Sequence, residues 1–253
     1  MQVTLLPSAG SGEEPHQFLT SYLIGQALAI DAGSLGFHGS LEVQARVRHV
    51  LISHSHIDHL ASLPVFLENV YRGGPDCVTV HAGEAVLDSL QRDLFNGRVW
   101  PDFINLSPAA PFLRLSKLEE GRPVELEGLR ITPVAVNHVV PTFGFLVEDD
   151  RSAVVLPSDT GPTEAIWQYA NRSPHLKAVF LEATFPDSMA WLADVARHLT
   201  PALFAREVGK IRHPVRVFAV HIKAAYRSQV VRELEALGLP NFEVARPGEP
   251  YTF

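Results

Sequence analysis

Apolar residues recurring with period two mark β-strands, and recurrence every three or four residues marks amphipathic helices. On that basis strands are predicted at Val3–Leu6, Phe18–Ile24 and Ala27–Asp31, the last two joined by a Gly25-Gln26 turn. Arg48–Ser53 reads as a compact apolar strand. Leu60, Leu63, Leu67 and Val70 then recur at helical spacing, which predicts a helix with Pro64 in its first turns. Val78–His81 reads as a strand and Glu84–Leu94 as a helix, whereas Asn96–Pro111, with Pro101, Pro108 and Pro111, reads as a loop. Further strands are predicted at Leu129–Val136, Phe143–Glu148, Ala153–Leu156, Ala178–Leu181 and Val215–Val220. Helices are predicted near Thr163–Ala170, Met189–Leu199, Pro201–Arg212 and Tyr226–Leu237. No boundary or internal repeat interrupts this α/β pattern, so one domain over residues 1–253 is expected. Two packed sheets with helices outside would fit it, and so would an ordinary doubly wound sheet.

Composition narrows the partners rather than the fold. A chain of 253 residues, 46% of them hydrophobic, can bury one sizeable core. Its net charge of −7 argues against a broad nucleic-acid face, because such binding rests on Lys and Arg replacing counterions. A small-molecule substrate is the expected partner. Cys77 is the only cysteine, which excludes an intramolecular disulfide and suits a reducing compartment. The first ten residues carry no basic, apolar leader, and no stretch approaches the roughly 20 apolar residues of a membrane span. A cytoplasmic location away from membranes is expected, with a homodimer as the ordinary prior for oligomeric state.

The chemistry concentrates in Ser53-His54-Ser55-His56-Ile57-Asp58-His59. In extended backbone, residues i and i+2 face the same side, so His54 and His56 can reach one ion from the end of the Arg48–Ser53 strand. Asp58 and His59 follow as the chain turns into its helix and point at a neighbouring position. Imidazole and carboxylate donors together suit zinc, manganese or iron, and the absence of cysteine ligands disfavours a closed structural zinc site.

This His-x-His-x-Asp-His segment resembles the signature of the metallo-β-lactamase superfamily. The resemblance implies an αββα sandwich, two mixed sheets packed together with helices on the outer faces and the site at one edge. It also implies three further ligands at strand ends, which His138, Asp159 and His221 supply in order. By that analogy His54, His56 and His138 hold one divalent ion, Asp58, His59 and His221 the other, and Asp159 bridges. The true metallo-β-lactamases have a cysteine ligand at the place of Asp159, so antibiotic hydrolysis is disfavoured. Two ions, zinc first with manganese or iron as alternatives, would lower the pKa of a shared water from 15.7 to about 7 and supply hydroxide near neutral pH.

Four segments refine the resemblance: Asp159-Thr160-Gly161, Leu181-Glu182-Ala183-Thr184-Phe185-Pro186, His198-Leu199-Thr200-Pro201 and His221-Ile222-Lys223. Together they look like the class II cyclic-nucleotide phosphodiesterase family, which implies hydrolysis of a 3′,5′-cyclic nucleotide to its 5′-monophosphate. Thr200 followed by Pro201 is a favoured helix start, whose free N–H groups would face an anion. His198, just before it, is the candidate proton donor and, with Asp58, the candidate catalytic residue. Thr200, Lys223 and Glu182 are the candidate substrate-side residues: Lys223 to screen phosphate charge, Glu182 to orient His198. A transfer-RNA 3′-end endonuclease shares this ligand set and is the nearest rival. That family inserts an RNA-binding arm between the ligands corresponding to His138 and Asp159, and only 21 residues separate them here. An ester hydrolase, or a metal- or nucleotide-binding module without turnover, is a further alternative. Phe18, Phe37, Trp100, Phe103, Phe143 and Phe145 read as core residues rather than as a base pocket.

Overall fold

The computed structural model describes residues 1–8, 16–73, 76–106 and 110–253. Seven strands form a first sheet: β1 (Gln2–Leu5), β2 (Tyr22–Ile24), β3 (Leu28–Ile30), β4 (His49–Ile52), β5 (Val78–Ala82), β6 (Leu113–Lys117) and, from the end of the chain, β14 (Pro250–Thr252). The second sheet is built from β7 (Val124–Leu126), β8 (Leu129–Ala135), β9 (Phe143–Glu148), β10 (Ala153–Leu156), β11 (Leu176–Glu182), β12 (Arg216–Val220) and β13 (Phe242–Val244). The strand orders are β14-β1-β2-β3-β4-β5-β6 and β13-β12-β11-β10-β9-β8-β7. Both sheets are mixed. Strands β3 to β6 run parallel, and β10 to β13 run parallel beside the antiparallel β7–β8–β9–β10 set.

Alternation along each strand sends one set of apolar side chains between the sheets and the other under the helices. Leu51, Ile131, Phe145, Val154 and Phe180 belong to the buried cluster between the sheets. Val50, Ile52, Phe66 and Val80 form a second cluster under the helices α1 (Leu41–Gln44), α2 (Ile57–Leu60), α3 (Leu63–Asn69) and α4 (Glu84–Ser89). Val155, Trp167, Val179, Phe204 and Val230 form a third under α5 (Ala165–Arg172), α7 (Pro201–Val208) and α8 (Arg227–Ala236), to which α6 (Ala190–Ala196) contributes no side chain. This is the αββα sandwich, with three apolar layers rather than one.

Most expected elements are present, with informative changes in length. The strand expected over Phe18–Ile24 starts only at Tyr22, because Phe18 N and Leu19 N donate to Ser8 Oγ and Thr20 N donates to the Asp58 carbonyl. The helix expected through Val70 is split into α2 and α3, with Pro64 in the first turn of α3. The helix expected over Met189–Leu199 ends at Ala196, since Arg197 takes the left-handed conformation at φ 52°. The helix expected to reach Arg212 stops at Val208. Strands β6, β7, β13 and β14 were not expected. Pro108, in the expected loop, lies outside the described residues. Phe18 and Phe37 are exposed rather than core, whereas Phe103 and Phe145 are buried. Among the described residues no helix is long and apolar enough to cross a membrane.

Candidate metal centre

Strands β3, β4, β8, β10, β11 and β12 end at one edge of the sandwich, and each delivers a polar side chain there. Asp31 follows β3, His54 follows β4, and His56, Asp58 and His59 lie where the chain turns into α2. His138 follows β8, Asp159 follows β10, Glu182 ends β11 and His221 follows β12. Ligand atoms of His54, His56, His138 and Asp159 all lie within 4.8 Å of one another, as do those of Asp58, His59, Asp159 and His221. The two groups share Asp159. All seven residues singled out from the sequence therefore converge.

A layer of acceptors behind the histidines fixes which nitrogen each presents. His59 Nδ1–H donates to Asp31 Oδ2 at 2.7 Å. Ser53 Oγ–H donates to the same Asp31 oxygen at 2.8 Å and so accepts from His54 Nδ1–H at 2.9 Å. His138 Nδ1–H donates to the Arg197 carbonyl at 3.1 Å. Thr184 Oγ1–H donates to Glu182 Oε2 at 2.6 Å and accepts from His221 Nδ1–H at 3.0 Å. In all four rings Nε2 is the nitrogen turned inward, the one that would face a metal ion. His56 instead turns Nδ1 inward, 3.2 Å from His138 Nε2.

Two of the inward atoms have no protein hydrogen-bond partner. His54 Nε2 and His59 Nε2 are buried without a hydrogen bond, and the nearest oxygens of Asp159 stand 3.7 and 3.3 Å away. Buried polar atoms left this way cost on the order of 1–3 kcal/mol each. Burial alone would hold the two carboxylates in their neutral form. Instead His221 and His59 hold Asp58 and Asp159 well below the usual carboxylate range. Burial likewise opposes charge on His59, yet Asp159 and Asp31 push its pKa well above the ordinary value. The pocket is thus short of positive charge, which a proton on His59 supplies poorly and divalent cations would supply well. The donor set, nitrogen and carboxylate without thiolate, fits such ions.

The backbone at this edge is held in costly conformations. Asp31, Ser158, Arg197 and His221 all have φ between 52° and 61°, worth roughly 1–2 kcal/mol each for residues other than glycine. Gln17 Oε1 accepts from His221 N at 3.0 Å and pins one of them. Gly33 packs against the ligand loop so closely that a Cβ would lie 2.0 Å from the Asp58 carbonyl oxygen.

Glu182 and His198 complete the site. Glu182 accepts from Thr160 N, Leu199 N, Thr184 Oγ1 and His198 Nδ1, at 2.6–3.0 Å. Its oxygens are therefore committed to the protein, although they lie close enough to His198 and His221 to resemble a third ligand group. Burial lowers the pKa of His198, but the Glu182 carboxylate outweighs it and raises the value above the ordinary one. The His198 ring stands 5.0 Å from that of His138 and 5.6 Å from that of His221. Lys223 Nζ reaches Asp58 Oδ2 at 3.4 Å from the half-exposed rim.

Thr200 stands at the helix start expected of it. It occupies the position before α7, but its side chain makes no capping bond and only 1% of it is exposed. Asp187 Oδ1 already accepts from Ala202 N at 2.9 Å, and Pro201 has no N–H. One free N–H of the helix start is thus taken by the protein's own carboxylate. Residues that sequence reasoning passed over are Asp31, Ser53, Thr184 and the Arg197 carbonyl, the layer behind the ligands.

The comparisons agree with this geometry. The beta-lactamase superfamily domain matches residues 31–222, the interval from Asp31 to the residue after His221. A probable 3′,5′-cyclic-nucleotide phosphodiesterase of Yersinia pestis is 25% identical over 74% of this chain and 61% of its own, so the chain spans less than two thirds of that relative. A ribonuclease Z of Bradyrhizobium diazoefficiens is 24% identical over 94% of each chain. Among solved structures, unliganded yeast PDE1 has the same fold, with a TM-score of 0.80 at 18% identity over 98% of both chains. With the domain matched across the whole ligand-bearing stretch, the chain belongs to the beta-lactamase superfamily.

Proposed function

We propose that this protein is a metal-dependent phosphodiesterase that converts 3′,5′-cyclic nucleotides to 5′-monophosphates. The observation that carries the reading is the pair of ligand groups sharing Asp159, with His198 held beside them by Glu182. His54, His56 and His138 would hold one divalent ion, Asp58, His59 and His221 the other, with Asp159 common to both. When bound, two such ions neutralise phosphate charge and provide a nucleophilic water near neutral pH.

The remaining work falls to side chains. His198 gives Nδ1–H to Glu182, which leaves Nε2 to carry the mobile proton. As water adds to phosphorus and the P–O3′ bond breaks, His198 delivers that proton to the departing 3′ oxygen. Lys223 neutralises part of the phosphate charge at the rim. Thr200, the residue before α7, is assigned with Lys223 to the substrate side of the site.

Transfer-RNA 3′ processing is the second reading, and the near-full-length ribonuclease Z match favours it. The interval between His138 and Asp159 speaks against it, because β9, a turn and β10 fill it and leave no arm for RNA. Incubation of the zinc- or manganese-loaded protein with 3′,5′-cyclic AMP tests the proposal, with Asp159→Ala as the blank. Formation of 5′-AMP by the wild type alone is expected. Lack of product with two ions bound per chain would overturn it, and cleavage of precursor transfer RNA instead would establish the rival.

A further inference from the structure

Beside the ligand edge, the segments that follow β5 and β8 line a cavity of about 370 Å³. Its wall includes His138, so it opens next to the first ligand group. The size lies within the roughly 300–1,000 Å³ of small-molecule sites. Most of the wall is apolar, formed by Ala85, Val86, Val136, Val140, Pro141 and Phe143.

The polar members of the wall are already engaged. Ser53 Oγ bonds Asp31 and His54, and His138 Nδ1 bonds the Arg197 carbonyl. Thr142 Oγ1 donates to the Val140 carbonyl at 2.9 Å. Glu84, the one carboxylate, lies at the solvent side, where Lys117 Nζ donates to it at 2.6 Å. No Lys or Arg is among the residues that line the cavity. An anionic group entering it would lose hydration and meet no Lys or Arg on the lining. An uncharged ring system would instead bury apolar surface against Phe143 and the valines.

We propose that this cavity is the nucleoside subsite, receiving the uncharged base and sugar of a single nucleotide while the reacting phosphate lies at the ligand groups. The proposal rests on the phosphodiesterase reading for its substrate and goes beyond it in naming the wall that selects. A polynucleotide would have to carry a second phosphate past a cavity whose lining residues include no Lys or Arg. Compact mononucleotide diesters are therefore the preferred class, and RNA is rejected by the cavity as well as by the missing arm. Ala85 is the residue to alter, because it is exposed in the first turn of α4 and belongs to no hydrogen-bonded network in the ligand layer.

The test is titration of the zinc-loaded protein, followed by calorimetry, with adenosine and separately with inorganic phosphate. Adenosine is expected to bind saturably to the wild type, and Ala85→Trp, which fills the cavity, to weaken it at least tenfold. Phosphate affinity, set at the ligand groups, is expected to change less than twofold. Ala85→Leu, a smaller filler, is expected to give an intermediate loss if the tryptophan variant folds poorly. Adenosine binding that is absent in the wild type, or equal in wild type and both variants, would overturn the subsite. Unaltered KM for a hydrolysed cyclic nucleotide in Ala85→Trp would also sink it while leaving the phosphodiesterase reading intact. Adenosine binding lost in Ala85→Trp, with no phosphodiester hydrolysed by the wild type, would do the reverse.

Discussion

Two groups of histidines lie in this sandwich, and they differ in everything except the residue type. At the ligand edge, His54, His59, His138 and His221 each give Nδ1–H to an acceptor and turn Nε2 toward the carboxylates of Asp58 and Asp159. Elsewhere on β4 and β5, His49 and His81 face each other with Nδ1 and Nε2 3.1 Å apart. The carboxylate that pairs with this group is Glu127, 3.5 Å from His49 and partly exposed. Without an enclosed negative charge, burial and the neighbouring His49 push His81 down to about 4. At the ligand edge the carboxylates win instead and hold His59 well above the ordinary value. A histidine pair in a protein interior becomes a cation site when an outer acceptor fixes the tautomer and an inner carboxylate demands charge.

The largest effect expected from breaking this contrast is at the shared carboxylate. Asp159→Ala should abolish phosphodiester hydrolysis and lower bound metal, read by elemental analysis after dialysis. Replacing both His49 and His81 by Gln should leave metal content unchanged. Metal loss in that double variant would erase the distinction between the two groups. Next in size is His198→Ala, expected to lower kcat about a hundredfold, at the low end for a lost proton donor. Its metal content should stay at the wild-type level, since His198 is assigned to neither ion.

The outer layer comes third. Asp31→Ala leaves Ser53 N, Ser53 Oγ and His59 Nδ1 without their buried acceptor. A metal affinity roughly 10–100-fold weaker is expected, measured by competition with a chelator. Folding stability should fall by about 2 kcal/mol in the metal-free protein, read from urea midpoints. An unchanged metal affinity would show that tautomer control resides elsewhere.

The two layers of the site were unequally legible in the sequence. The candidate ligands of His54–His59 crowd into one segment that donor chemistry exposes, whereas His138, Asp159 and His221 are marked only by the family resemblance, each standing after a strand whose apolar pattern is plain. Asp31 meets His59 from 28 residues away, and Thr184 meets His221 across 37. Such contacts exist only after the two sheets pack. Asp31 did leave one signal, an acid closing a predicted apolar strand. The fold shows the same split. Strand β6 carries a legible alternation, Leu113 and Leu115 against Arg114 and Ser116, that the reading passed over. Strands β7, β13 and β14 have three residues each and owe their form to the neighbours they pair with. At Thr200 the helix start is as expected, and only the side-chain cap is missing. A sequence can mark a helix start, but not the Asp187 side chain that folds back to occupy it.

The smallest effect is also the cleanest probe of the second histidine group. His81 has an ordinary pKa of 6.5 as a free residue and about 4 in the fold, so the folded state resists its protonation. A group depressed in this way contributes stability fully above pH 6.5, and that contribution is lost as pH falls from 6.5 through 4. The cause is burial first and repulsion from His49 second, with neighbouring solvent screening part of both. About 1 kcal/mol is therefore a reasonable size for the loss. Substituting His81→Phe removes the titration while keeping a ring between the sheets. The difference in urea midpoint between wild type and this variant, followed from pH 7 to pH 4.5, should move against the wild type as the pH falls. Ligand-edge carboxylates titrate in both proteins and cancel in that difference. A gap independent of pH would mean that His81 reaches solvent freely, and the contrast between the two groups would then rest on the carboxylates alone.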